Sequence, residues 1–141
     1  MRSGDTLPLR LRPGRLVLFA TDLAVARAFY ADVLGLKLIK ETERQLDFDC
    51  DGFPIDIFKC ENDRLPGSHS SEAGVAMAFR VDGLDEAVRS LRKAGVNVLH
   101  ETPGVNAAGR YVAFADPFGI IHELIEAVPT DRTVAVPRPS G

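Results

Sequence analysis

The chain predicts an α+β architecture: two tandem βαβββ modules forming curled, partly open mixed sheets around a cleft, with the helices outside. An internal duplication is the first observation behind this. Gly35 lies 60 positions before Gly95 and Glu41 lies 60 before Glu101, while the strand ahead of each helix aligns best at an offset of 61. The second is the regular punctuation of short apolar runs by Gly, Asp and Pro. The third is strands that are apolar at both parities. Leu16 and Leu18 alternate with Val17 and Phe19, and Met77 and Phe79 with Ala76 and Ala78. One helix per module covers one face of a four-stranded sheet, so the other faces must turn toward each other, and a ligand cleft follows.

The first module spans residues 14–60. A strand at 15–20 leads to Thr21 and Asp22, whose oxygens suit a helix N-terminus. Leu23, Ala26, Phe29, Tyr30, Val33 and Leu34 then recur at helical spacing until Gly35, a C-terminal stop. Strands at 36–41, 45–50 and 53–59 follow, the last two joined by Asp51-Gly52, a hairpin dipeptide. A Gly/Ser/Asn/Asp-rich linker with Pro66-Gly67 covers 61–74. The second module, 75–127, repeats the plan: a strand at 75–81, a helix at 82–94 with Leu84, Val88 and Leu91 on one face, and strands at 96–101, 110–115 and 120–127. Its turns are Pro103-Gly104 and Asp116-Pro117-Phe118-Gly119, and residues 1–13 and 128–141 read as tails.

Composition sets the class. With 141 residues, 45% apolar and 26% charged, the chain fits one soluble domain. A net charge of −3 offers no basic field for a nucleic acid partner. No apolar run approaches the roughly 18–20 residues of a membrane helix, and residues 1–12 lack a secretory pattern, so a cytoplasmic location is expected. Cys50 and Cys60 are expected as free thiols. No Gly-rich phosphate loop and no nucleophile elbow occurs.

Thr21-Asp22-Leu23, Ala28-Phe29-Tyr30 and Val33-Leu34-Gly35-Leu36 in the first module resemble the vicinal oxygen chelate superfamily of glyoxalases, fosfomycin and bleomycin resistance proteins and extradiol dioxygenases. Ala78-Phe79-Arg80-Val81-Asp82 and Asp116-Pro117-Phe118-Gly119, followed by Glu123-Leu124, resemble its second module. In metal-dependent members, the resemblance implies one His, Gln or Glu from the first strand of each module and one carboxylate from the last. The first position, seven residues before Asp22, is Arg15, whose guanidinium cannot ligate a metal. Its counterpart is Ala76, or Val75 if the register slips by one. Asp56 and Glu123 occupy the two carboxylate positions.

The resemblance therefore implies a small-molecule-binding protein, as a homodimer, without the usual divalent metal and with no cofactor. A metal-dependent lyase or isomerase like lactoylglutathione lyase is the alternative, with the divalent metal as its cofactor. A metal-free enzyme using Glu123 as general base is the third reading. Arg15 is expected between Asp56 and Glu123, or on an anionic group of the ligand; the other reading leaves it in solvent. In 120–125 a polar pair, His122 and Glu123, interrupts an apolar strand, so one of the two must enter the cavity. The family register selects Glu123 and turns His122 toward the helix side or an edge. Arg80, Phe19, Phe58, Tyr111 and Phe114 are further candidate lining residues, with surface or core positions as alternatives. His69 and His100 are expected in solvent. Residues 105–108, between Gly104 and Gly109, read either as a cover for the cleft or as a simple hairpin loop.

Overall fold

The computed structural model describes residues 9–62 and 74–127. Strand β1 (Leu16–Ala20) runs into Asp22, whose carboxylate accepts hydrogen bonds from Ala24 N and Val25 N at 3.0 and 3.1 Å and starts helix α1 (Leu23–Arg27). The helix then widens into a π-helical turn, Ala28–Val33. Leu34 N reaches Phe29 O and Leu36 N reaches Tyr30 O, both at 2.9 Å, before Gly35 (φ +78°) ends the run. Helical spacing alone predicts a regular helix here. The widened turn brings the neighbouring side chains of Phe29 and Tyr30 onto one buried face.

Strands β2 (Lys37–Glu41), β3 (Gln45–Cys50) and β4 (Phe53–Lys59) complete the first module. Asp51 and Gly52 both adopt positive φ, 51° and 90°, as the β3–β4 hairpin requires. The sheet order is β1-β4-β3-β2, with β1 parallel to β4 and the other pairs antiparallel.

The second module contains β5 (Met77–Arg80), α2 (Leu84–Lys93), β6 (Asn97–Val98), β7 (Gly104–Asn106), β8 (Gly109–Ala115) and β9 (Ile121–Ala127). Its order is β5-β9-β8-β6, again with the first pair parallel, and β7 also pairs with β8. The strand expected at 96–101 is thus shortened. β6 and β7 share the length of β8, and the chain breaks between them ahead of Pro103, which has no N–H for a ladder. Residues 105–108 belong to the β7–β8 hairpin, whose turn is held by Ala108 N donating to Asn106 Oδ1 at 2.9 Å.

Each helix lies on its own module's sheet, α1 against β3 and β4, and α2 against β6, β8 and β9. The residues facing them form the core, including Leu46, Phe48, Ile55, Ile57, Val112 and Leu124. Phe29 and Tyr30 carry this core across the module boundary, packing on Phe114 and His122 at ring-centroid distances of 6.4 and 5.8 Å.

Gly83 gives α2 no side-chain cap. Glu126 on β9 supplies one instead: its Oε2 accepts from Leu84 N at 3.0 Å while Oε1 accepts from Arg110 Nε at 3.2 Å. A Glu126→Ala variant is expected to lose about 1 kcal/mol of stability, the usual cost of a lost N-cap, read as a lower urea midpoint with unchanged m-value.

Candidate ligand-binding cleft

Strand alternation sends one set of side chains to the helices and the other to the opposite face. On that face of the first module, Val17 pairs with Asp56 and Asp56 with Asp47, while Phe19 pairs with Phe58 and Phe58 with Gln45. Arg15, one residue ahead of β1, lays its guanidinium on the Asp56 carboxylate as a charge-assisted hydrogen bond. The Asp56 side chain is 3% exposed and that of Arg15 54%. Asp47 sits directly across the ladder from Asp56, and two like charges so placed repel. Arg15 answers that repulsion. Its pKa is raised above the ordinary arginine value, chiefly by the hydrogen bond to Asp56 and its charge, with Asp47 adding less. The Gln45 amide donates to Asp47 Oδ1 at 2.6 Å. Phe19, half exposed, tilts against Phe58 at 6.3 Å.

The equivalent face of the second module is built around Glu123. Its ladder neighbours are Ala78 on β5 and Ala113 on β8, so a carboxylate stands between two methyl groups. Arg80 and Tyr111 flank the next position, Ile125. Tyr111 leans on the His100 ring at 5.6 Å and lies against Gly104, where a Cβ would come within 2.5–2.8 Å of the ring. Only glycine allows that approach, so Gly104 fixes how flat Tyr111 lies. His100 is accordingly half-buried against a ring; His69 lies outside the described residues.

Phe114, expected as a lining residue, is fully buried on the helix side. Alternation is the reason: Val112 and Phe114 point to the core, so Tyr111 and Ala113 point away from it.

His122 points to the core as well. It pairs with Phe114 and Met77 and is 1% exposed. The Tyr30 hydroxyl donates to Asp116 Oδ2 at 2.5 Å, so at His122, 2.8 Å away, it accepts from Nε2–H. Asp116 Oδ1 receives Phe118 N and Ile120 N, both at 2.8 Å. Burial lowers the His122 pKa to about 4. Burial first, then the charge of Asp116 and the hydrogen bond to it, raise Tyr30 far above the ordinary phenol value. The sequence gives no direct sign of this network, because Tyr30 reads as one more apolar-face residue and lies 86 and 92 positions from its partners.

Where β1 passes the start of β9, Leu16, Phe19, Val75, Ile120 and Ile121 line an apolar recess of about 180 Å³. Among the described residues no three His, Cys, Asp or Glu side chains come together as a metal-holding group. Cys50 and Cys60 are free thiols.

Residues 12–124 match the Glyoxalase/Bleomycin resistance protein/Dioxygenase superfamily. The chain belongs to that superfamily. It is 34% identical to the protein YaeR of Escherichia coli strain K12, over 79% of this chain and 92% of the relative. It is also 34% identical to a lactoylglutathione lyase of Salmonella typhimurium, over 79% of this chain and 89% of the relative. The fold resembles that of the fosfomycin resistance protein FosX from Listeria monocytogenes, with a TM-score of 0.70 and 21% identity, covering 88% of this chain and 99% of that one. A glyoxalase family protein from Bacillus anthracis superposes with a TM-score of 0.66 and 24% identity, covering 86% of this chain and all of that one. These two likenesses concern the fold alone.

Proposed function

We propose that this superfamily member binds a small molecule against the sheet faces that carry Arg15 and Asp56 in the first module and Glu123 in the second, and does so without a divalent metal. The Arg15–Asp56 ion pair carries the reading. A divalent ion needs lone pairs from several converging side chains, and the donor set does not fit. Arg15 is a cation with no lone pair to give, Ala76 has no donor atom, and Asp56 already serves the guanidinium. Half of the Arg15 side chain remains exposed and can turn to an anionic group of a ligand, while Phe19 and Phe58 offer aromatic surface on the same sheet and Tyr111 offers it on the second module's sheet. Arg80 stands at the far rim, near Ile125.

A homodimer suits this reading. The recess of about 180 Å³ is smaller than the roughly 300–1,000 Å³ of ligand pockets, and Val17 and Phe19 stay about half exposed beside it, so a second copy would complete the enclosure. A cytoplasmic location remains the reading from sequence, and no helix among the described residues is long and apolar enough to cross a membrane.

The probe that tests the site is 1-anilinonaphthalene-8-sulfonate, which joins an anionic group to aromatic rings. Wild type is expected to bind it saturably, and Arg15→Leu to bind it about tenfold or more weakly, as loss of a charge-assisted hydrogen bond entails. Equal affinity of the two proteins would remove Arg15 from the site.

The 34% identity to a lactoylglutathione lyase favours a second reading, a lyase or isomerase of that kind. Lactoylglutathione lyase activity that appears only with added metal would support it over the first. Metal-free turnover lost in Glu123→Gln would instead make Glu123 a general base.

A further inference from the structure

His122 occupies an aromatic box on the face of β9 opposite Glu123. Tyr30, Phe79 and Phe114 surround its ring at centroid distances of 5.8, 5.5 and 5.5 Å. Tyr30 comes from the π-helical turn of the first module, whereas Asp116 and His122 belong to the second. The hydrogen bonds among these three side chains therefore tie the modules together inside an otherwise apolar boundary, of which Phe29 against Phe114 is the neighbouring part.

The tie has a direction. Because the Tyr30 proton goes to Asp116, the imidazole must bring its own proton on Nε2, which leaves Nδ1 as a bare lone pair. Nδ1 is buried and has no hydrogen-bond partner among the described residues. From the first module the ionisable group facing the ring is Tyr30; from the turn after β8 it is Asp116, reached through the Tyr30 hydroxyl. The side chains of β5 and β8 packed on the ring, Phe79 and Phe114, are apolar, and Glu123 points away from it. A proton taken up from solvent at Nδ1 would create a buried cation with a second N–H and no acceptor for it, which is among the costliest states a core can hold.

We propose that the His122–Tyr30–Asp116 chain is an acid-released latch between the two modules. It closes only around a neutral imidazole, and protonation at Nδ1 releases Tyr30 and its π-helical turn from β9 while both sheets persist. Burial already holds the His122 pKa well below its ordinary 6.5, as a closed latch requires.

The chain has two tyrosines and no tryptophan, so Tyr111→Phe leaves Tyr30 as the sole source of the tyrosine near-ultraviolet circular dichroism. That variant is titrated from about pH 8 to about pH 3.5 while near- and far-ultraviolet signals are followed. The Tyr30 signal is expected to vanish in one transition, with a midpoint at least about one pH unit below the 6.5 of a free histidine and with the far-ultraviolet signal retained. Adding His122→Phe, which fills the box without a titrating group, should preserve the Tyr30 signal through that range. Loss of both signals together, an unchanged midpoint with His122→Phe, or no change at all would overturn the latch. Should the double variant fail to fold, histidine ¹⁵N spectra of the single variant decide. The latch requires His122 protonated on Nε2 alone at neutral pH and titrating with the Tyr30 midpoint; any other tautomer or midpoint overturns it.

Discussion

Replacing Phe114 by alanine is expected to lower the unfolding free energy by about 3–5 kcal/mol, the range for a fully buried phenylalanine. The ring is 0% exposed, packs on Phe29 from the other module and on His122 across the ladder, and cannot be replaced by collapse of a single helix. Urea unfolding measures the loss. Phe19→Ala, at a ring about half exposed, should cost less than about 1 kcal/mol, with its effect appearing in probe affinity instead. The reverse pattern, a stable Phe114→Ala protein with weakened binding, would return Phe114 to the ligand face.

Acid is expected to destabilise the protein through His122. Its folded-state pKa is depressed to about 4 from an unfolded value near 6.5, so between these values the unfolded chain binds the extra proton. The contribution is therefore intact above pH 6.5, falls as pH drops toward 4 and is flat below. The two limits imply a loss of about 3 kcal/mol over that window. Unfolding free energy measured against pH should show this slope, and His122→Phe should flatten it. A slope unchanged in that variant would assign the acid sensitivity to other groups.

Much of the architecture is legible in residue order. The duplication at an offset of about 60 residues places both modules, while Asp22 and Gly35 bound the first helix and Asp51-Gly52 marks the β3–β4 hairpin because those signals depend on neighbours within a few positions. The π-helical turn is not legible: apolar spacing is the same whether the last turn closes normally or widens to bury Phe29 beside Tyr30. The division of one expected strand into β6 and β7 is a matter of which stretches find room along β8. In the candidate cleft, Arg15, Asp56 and Glu123 are singled out by the family resemblance, but the ion pair itself joins residues 41 apart and needs the parallel β1–β4 ladder to exist. Phe114 could have been placed correctly. It stands three residues after Tyr111 in one strand, so the two cannot share a face. The link from Tyr30 to His122 and Asp116 could not, since each partner alone has an ordinary local role.

Calorimetric titration of the metal-stripped protein with zinc, nickel, manganese and iron(II) bears most directly on Arg15 as the occupant of a ligand position. The expected result is that the wild type binds none of the four ions tightly and stoichiometrically. One ion bound tightly per chain, with binding lost in Asp56→Ala and in Glu123→Ala, would contradict it.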